Sequence, residues 1–449
     1  MAGRLRLRNL TDHPARFVVV AFAAAIAAGT GLLALPWAAP PGTSLSPLDA
    51  LFTATSAVCV TGLSVVDTGT ALSGFGEAVL VVLAQVGGIG LMTLASLIAL
   101  VLSRRLGLRM SLVTTTERST LQLGDVRLVL RGVGLITAVV EVTLAVVLTL
   151  RFWTTYDHSF GSAAWSGVFH SVMTFNNAGF SLFADSLNRF ATDPVVTGPV
   201  MVGIVIGGLG FPVLVDLFVH RGSRHRLTMH SKLTLAGTAV LLIAGLVMVL
   251  AFEWSNPDTL GSHSVPEKAW VASFGSVSPR TAGFHTITPA DMTDQTNLGT
   301  TFLMFIGAGS AGTSGGIKVG TFFLLALVIL AELRGSRDVV SFGRRIPEGV
   351  QRQALTVALL SVGVVAVTST VLMALTDFRL GDVTYEAVSA FGTVGLSTGI
   401  TPLLPWGGKL LLVAVMLLGR VGPVTLFTAL VLRQRAGATR NPEEAPLIG

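Results

Sequence analysis

The chain has 449 residues, of which 51% are apolar and only 12% charged, and its mean hydropathy is +0.74. That charge fraction is about half the ~25% of soluble domains, so lipid must form part of the solvent and counts of soluble cores do not apply. The net charge of +6 could suit a nucleic acid, but the basic residues gather in loops on one side of the apolar segments; the single cysteine, Cys59, excludes an intrachain disulfide and a Cys-rich metal site.

The basic N-terminus leads into an apolar run from Phe17 to Trp37, long enough to span a bilayer and without a convincing cleavage site. Further long apolar stretches lie near 78–102, 128–152, 196–219, 231–252, 296–330, 353–376 and 409–432, which makes eight candidate membrane helices. Between the members of each pair sits a shorter, half-apolar segment, near 47–58, 163–175, 266–277 and 383–392. At about 10–12 residues these cannot cross ~30 Å of hydrocarbon at ~1.5 Å per residue, so they read as re-entrant helices. Taken singly, each could equally be an amphipathic surface helix.

Helix-start signals accompany them. Ser46-Pro47-Leu48-Asp49 supplies a cap, a proline in the first turn and an acid; Ser264-Val265-Pro266-Glu267 has capping-box spacing. Ser162 is a plainer cap for the second segment, and Asp382 precedes Glu386 in the fourth.

Charge gives the orientation. Of the 30 basic residues, 22 fall in the N-terminus, the loops that follow each helix pair and the tail; six, including Arg280 and Lys409, lie on the other side. The positive-inside rule then makes both termini cytoplasmic and brings the re-entrant segments in from outside. Acids lean outward, among them Asp49, Asp67, Asp291 and Glu386, and an acidic entrance concentrates cations, although loop acids are also ordinary solvated groups.

A related motif follows each short segment: Val60-Thr61-Gly62, Asn177-Ala178-Gly179, Thr281-Ala282-Gly283 and Thr393-Val394-Gly395, each followed by Leu or Phe. The glycines are 117, 104 and 112 residues apart, so one period covers the chain. The expected repeats are 1–104, 105–222, 223–335 (its second helix broken) and 336–449 with a short tail. Glycine accepts positive φ where a descending helix turns back as extended chain. Four such loops around one axis present backbone carbonyls that replace the hydration shell of a cation, above the negative ends of the short helices. One glycine alone could merely be a C-cap; four in register favour a pore.

These features resemble the Trk/Ktr/HKT superfamily of potassium transporters, through TATSAVCVTGLSVVDTG, MTFNNAGFSLF, SVSPRTAGF and SAFGTVGLSTG. With no helix pair before the first repeat, the chain is more similar to the Ktr-type membrane subunit than to the longer Trk type. The resemblance implies an all-α integral membrane fold: four helix–pore-loop–helix repeats with pseudo-fourfold symmetry around one central pore. It implies potassium uptake across the cytoplasmic membrane, with K+ bound at the carbonyls of the twelve motif residues. Glycine in all four loops favours potassium, since a first-loop serine goes with sodium preference in the plant relatives. Sodium as an activating ion stays open, and no organic cofactor is expected. The expected partners are a second copy of the chain, a cytoplasmic ring of nucleotide-binding RCK subunits and the bilayer.

The stretch 307–316 contains Gly307, Gly309, Gly312, Thr313, Ser314, Gly315 and Gly316, with Lys318 just beyond. Five glycines in ten residues, each costing a helix about 1 kcal/mol against alanine, predict two half-helices joined by a flexible loop under the filter, or else a small-residue packing face. In the family the matching loop obstructs the pore, so the resemblance implies a gate. Arg420 sits mid-segment and should face protein or water, as an electrostatic barrier or as a partner of carboxylates or helix-end carbonyls. Glu141 and Asp216 also fall in apolar segments; Asp216 has arginines nearby, whereas Glu141 has no evident partner. His170 and Asn176 read as loop hydrogen-bonding groups. A secondary transporter of another cation or a small solute is the alternative. Without HExxH, GxSxG or a clustered metal set, an enzyme has no nucleophile or base.

Overall fold

The computed structural model describes residues 14–110, 125–157, 159–220 and 227–432. Ten of the arginines that gave the orientation, including Arg4, Arg118, Arg224 and Arg433, lie outside these. The described chain is almost wholly helical. In order, α1 is Pro14–Leu33, α2 Pro47–Val58, α3 Gly74–Met110, α4 Asp125–Arg151, α5 Phe160–Asn176, α6 Pro194–Leu209, α7 Phe211–Val219, α8 Met229–Glu253, α9 Val265–Val277, α10 Asp294–Phe305, α11 Val319–Leu333, α12 Glu348–Leu375, α13 Leu380–Gly392 and α14 Trp406–Leu432. A two-residue hairpin, Val340–Ser341 (β1) with Arg344–Arg345 (β2), joins α11 to α12.

Among the described residues, α4, α8 and α12 are each long and apolar enough to cross a membrane by themselves, and α6 with α7 does so as a bent pair. Their outward faces carry exposed aliphatic residues at helical spacing, such as Leu135, Val139 and Val142 on α4 and Leu359 and Val362 on α12. That stripe is what lipid contact requires.

The short helices α2, α5, α9 and α13 lie where expected and are enclosed by the long ones. The Ser46 Oγ accepts from the Asp49 N–H at 3.1 Å, and Ser264 with Glu267 forms the full capping box. Two start signals fall elsewhere. α5 begins at Phe160 after Ser159, not at Ser162, and α13 begins after Arg379, so Asp382 lies inside its first turn. Each short helix buries an aromatic side chain: Phe52, Phe169, Phe274 and Tyr385 are at most 1% exposed.

Two long segments are broken. The 296–330 stretch divides into α10 and α11, with an irregular loop between them closed by a parallel bridge from Ile306 to Ile317. The 196–219 stretch, expected as one span, bends by 97° between α6 and α7. The cause is local: Gly210 takes φ +89°, and Pro212 in the first turn of α7 cannot continue the α6 hydrogen-bond ladder.

Candidate functional site

Within four residues of its end, each short helix is followed by a left-handed residue and, two positions later, by a left-handed glycine. The pairs are Val60 (φ 56°) with Gly62 (89°), Asn177 (57°) with Gly179 (69°), Thr281 (74°) with Gly283 (77°), and Thr393 (49°) with Gly395 (95°). Left-handed geometry at β-branched Val60, Thr281 and Thr393 is strained, by about 1–3 kcal/mol each, and persists only where the surroundings impose it. Part of that imposition is visible. The Thr61 N–H donates to Ser56 O (2.7 Å) and the Gly62 N–H to Ser56 Oγ (3.1 Å). Val394 and Gly395 do the same to Ser389 (2.9 and 3.1 Å), while Ala178 donates to Met173 O (2.8 Å) and Ala282 to Ser278 O (2.9 Å).

The four glycines meet in sequence order and close on themselves. A Cβ built on Gly62 would lie 2.6 Å from Ala178 O and 2.8 Å from the Gly179 Cα; one on Gly179 would lie 2.9 Å from the Gly283 Cα. On Gly283 it would meet Val394 O at 2.6 Å and the Gly395 Cα at 3.3 Å; on Gly395 it would press on Thr61 O and lie 3.0 Å from the Gly62 Cα. All four glycines also line one cavity of about 340 Å³, whose wall includes Ser64, Asp67, Ser181, His285 and Ser397. The twelve motif residues are thus brought together, with Asn177 Nδ2 donating to Thr281 Oγ1 (3.5 Å) across two loops.

A second row of glycines sets how closely the following helices approach. A Cβ on Gly87 (α3), Gly207 (α6) or Gly419 (α14) would strike the carbonyl oxygen of Val58, Phe175 or Phe391, each four residues before its motif glycine. Gly307 occupies the same register in the third repeat, 24 residues beyond Gly283 as Gly419 is beyond Gly395, and there the helix breaks.

The 307–316 segment fits into this break and touches three other parts of the chain. The Gly309 N–H donates to Gly208 O (2.8 Å) and the Thr313 N–H to Gly207 O (3.2 Å), both at the end of α6; Gly315 abuts Thr393. Arg420, 1% exposed, donates from Nη1 to Thr313 O and from Nη2 to Gly87 O (3.1 Å). Lys318 Nζ donates to Ser314 O, Ser314 Oγ (3.3 Å) and Gly315 O (3.4 Å). Of the two roles open to Arg420, the observed contacts are carbonyl contacts. The small-residue alternative for 307–316 falls, because the segment is not helical.

Three polar residues singled out in the sequence have local partners in the structure. Glu141 of α4 has partners after all: Gln85 Nε2 donates to Oε2 (3.1 Å) and Asn176 Nδ2 to Oε1 (3.2 Å), a polar network behind the second motif. Asp216 accepts from Thr228 N–H (2.9 Å) and pairs with His220 (2.9 Å). His170 bonds Ser166 O (2.7 Å) and Ser181 Oγ (3.1 Å), the local role expected of it.

Four residues counted as outer charges are not free surface charges. Glu386 is fully buried and accepts from Thr401 Oγ1; Arg280 and Lys268 are buried; Lys409 pairs with Asp49 at 2.9 Å, joining α14 to α2. Asp67 remains on the cavity wall, with its carboxylate accepting from Gly69 N–H (3.1 Å). Burial pushes the His285 ring down to about 4 against the pull of Asp185, so the cavity wall gains no positive charge there at neutral pH. Among the described residues no His, Cys, Asp and Glu cluster suits a metal ion.

The family model described as TrkH, cation transport protein, matches residues 9–437. This chain belongs to that family. A TrkH-family relative, the Ktr system potassium uptake protein B of Bacillus subtilis, is 38% identical over 92% of both chains. Its namesake in Vibrio alginolyticus is 36% identical over 97% of this chain and 94% of its own. The potassium/sodium uptake protein NtpJ of Enterococcus hirae is 34% identical over 100% and 99%. The TrkH fold itself is shared with the crystal structure of the potassium transporter TrkH from Vibrio parahaemolyticus, at a TM-score of 0.71 and 21% identity over 93% of this chain and 84% of that one. As a TrkH-family chain with lipid-facing apolar helices, it is an integral membrane protein, and its relatives named here are transport proteins.

Proposed function

We propose that this chain is the potassium-translocating subunit of a Ktr/Trk-like uptake system. The observation that carries the proposal is the closed succession of four motif glycines around one cavity. Alternating left- and right-handed backbone turns successive carbonyls to one side, and side-chain-free glycines let four such strands converge. Carbonyl rings of this kind substitute for the water shell of a dehydrated cation. The filter is Val60-Thr61-Gly62, Asn177-Ala178-Gly179, Thr281-Ala282-Gly283 and Thr393-Val394-Gly395, with pseudo-fourfold symmetry and repeats at 1–104, 105–222, 223–335 and 336–449. Potassium as the cargo is supported by the names of the relatives, and sodium as a second ion by the name of one of them.

The 307–316 segment is the gate. Lys318 holds it by the carbonyls of Ser314 and Gly315 and Arg420 by that of Thr313, and Arg420 also places a positive charge in the cation path. Both termini are cytoplasmic, the membrane is the cytoplasmic one, and the chain works as a homodimer on a nucleotide-binding RCK ring.

The test is rubidium-86 uptake into potassium-loaded liposomes that contain the purified chain, with external potassium or sodium as competitor. Suppression by potassium and not by sodium is expected. No uptake, even after residues 310–314 are deleted, would put a carrier of another solute ahead.

A further inference from the structure

Arg280 immediately precedes the third motif, is 3% exposed, and has no carboxylate partner among the described residues. Its Nη1 donates to Ile306 O (2.7 Å) and its Nη2 to Gly307 O (2.8 Å), while Nε has no partner. Those carbonyls are the first two beyond α10, where helix-end oxygens lack intrahelical donors and carry the negative end of the dipole. A buried guanidinium without a counter-ion is tolerated only while such oxygens stay in place. Ile306 is pinned by its bridge to Ile317, but Gly307 is the residue at which the helix breaks and the 307–316 loop begins. The two hydrogen bonds therefore straddle the point about which the loop would turn.

We infer that Arg280 is a positioning residue that couples the third filter strand to the hinge of the 307–316 loop. The inference rests on the filter and gate reading above. When the loop swings, Gly307 O leaves Nη2, and Arg280, next to the strand that begins at Thr281, loses one of its two carbonyl partners. Coupling of this kind is reciprocal: an ion bound at Thr281–Gly283 stabilises the seated loop, and a seated loop stabilises the ion site. Lys318, through Ser314 and Gly315, and Arg420, through Thr313 O, hold the far half of the loop, and neither belongs to a filter strand.

A mutant cycle in the liposome assay tests this, with Arg280→Gln and Arg280→Lys made in the intact chain and in the chain lacking 310–314. Flux and the potassium-over-sodium competition ratio are both read. Arg280→Gln is expected to raise partner-free flux by about tenfold and to lower the ratio, and to change flux by less than about twofold once the loop is shortened. Arg280→Lys, which keeps the charge but not the fork, should fall between; it carries the cycle if the glutamine variant is not recovered as folded protein. Equal flux factors in both backgrounds would make Arg280 a plain helix cap and overturn the coupling while leaving the gate intact. A deletion that by itself leaves flux unchanged would remove the gate and the coupling together.

Discussion

At the residue scale, the motif glycines are constrained twice, by backbone handedness and by their neighbours' atoms. Gly62 takes φ +89°, and a Cβ there would sit 2.6 Å from Ala178 O. A side chain must therefore accept about 1–2 kcal/mol of left-handed strain and also displace the next strand. Gly62→Ser or Gly179→Ser is expected to cut the potassium-over-sodium competition ratio by about tenfold, the equivalent of ~1.4 kcal/mol. An unchanged ratio with normal folding would take those loops out of the filter. The glycines were legible because their repeat is a spacing pattern. The left-handed Val60, Thr281 and Thr393 were not, since β-branched residues ordinarily avoid that region and only tertiary packing forces them into it. Ser56 and Ser389, six residues before their glycines, could have been noticed as a recurrence; the other two repeats carry Met173 and Val277 there, which hid it. Arg420→Ala removes both carbonyl contacts and should raise partner-free flux by several-fold. Loss of folded protein in its place would assign the residue to packing.

At the element scale, the boundaries of the spans and short helices followed from apolar run length and agreed to within about five residues, except that α3, expected to end near 102, runs on to Met110. The bend between α6 and α7 escaped because its apolar composition is continuous; hydropathy does not register handedness, and only Gly210 with Pro212 marked it. That bend matters, for the freed carbonyls of Gly207 and Gly208 receive the 307–316 segment. Deleting 310–314 is expected to increase partner-free flux by about tenfold (~1.4 kcal/mol of barrier), measured as initial rubidium-86 uptake. Equal flux would sink the gate assignment. At the N-terminal end of α6, burial works against the Asp193 carboxylate, but Arg151 (2.8 Å), Tyr156 (2.8 Å) and the Val195 N–H outweigh it and hold its pKa below the usual carboxylate range. A depressed folded-state pKa contributes stability above the ordinary carboxylate value that is lost as pH falls through the folded one. Asp193→Asn should thus lower the melting temperature at pH 7, and the gap to wild type should close on acidification. A gap that persists at low pH would mean that the loss is one of packing.

At the scale of the whole molecule, Lys409 of α14 meets Asp49 of α2, so the first and last of the proposed repeats are direct neighbours. The hairpin between α11 and α12 holds exposed Arg344 and Arg345, with exposed Phe342 at its tip. On the proposed reading, a separate regulatory ring would dock here, with Arg345 already paired to Asp338 at 2.8 Å. Replacing Arg344 and Arg345 by Glu is expected to abolish stimulation by added RCK subunits and to leave partner-free flux unchanged; undiminished stimulation would move docking elsewhere. Partners and orientation were the least legible, because docking has no period, whereas a repeat does. The succession Gly62, Gly179, Gly283, Gly395 has a genetic consequence as well. In a pore assembled from four identical chains, one codon change alters every quadrant simultaneously. In the proposed filter each quadrant has its own codon, so a single substitution would alter ion preference a quarter at a time.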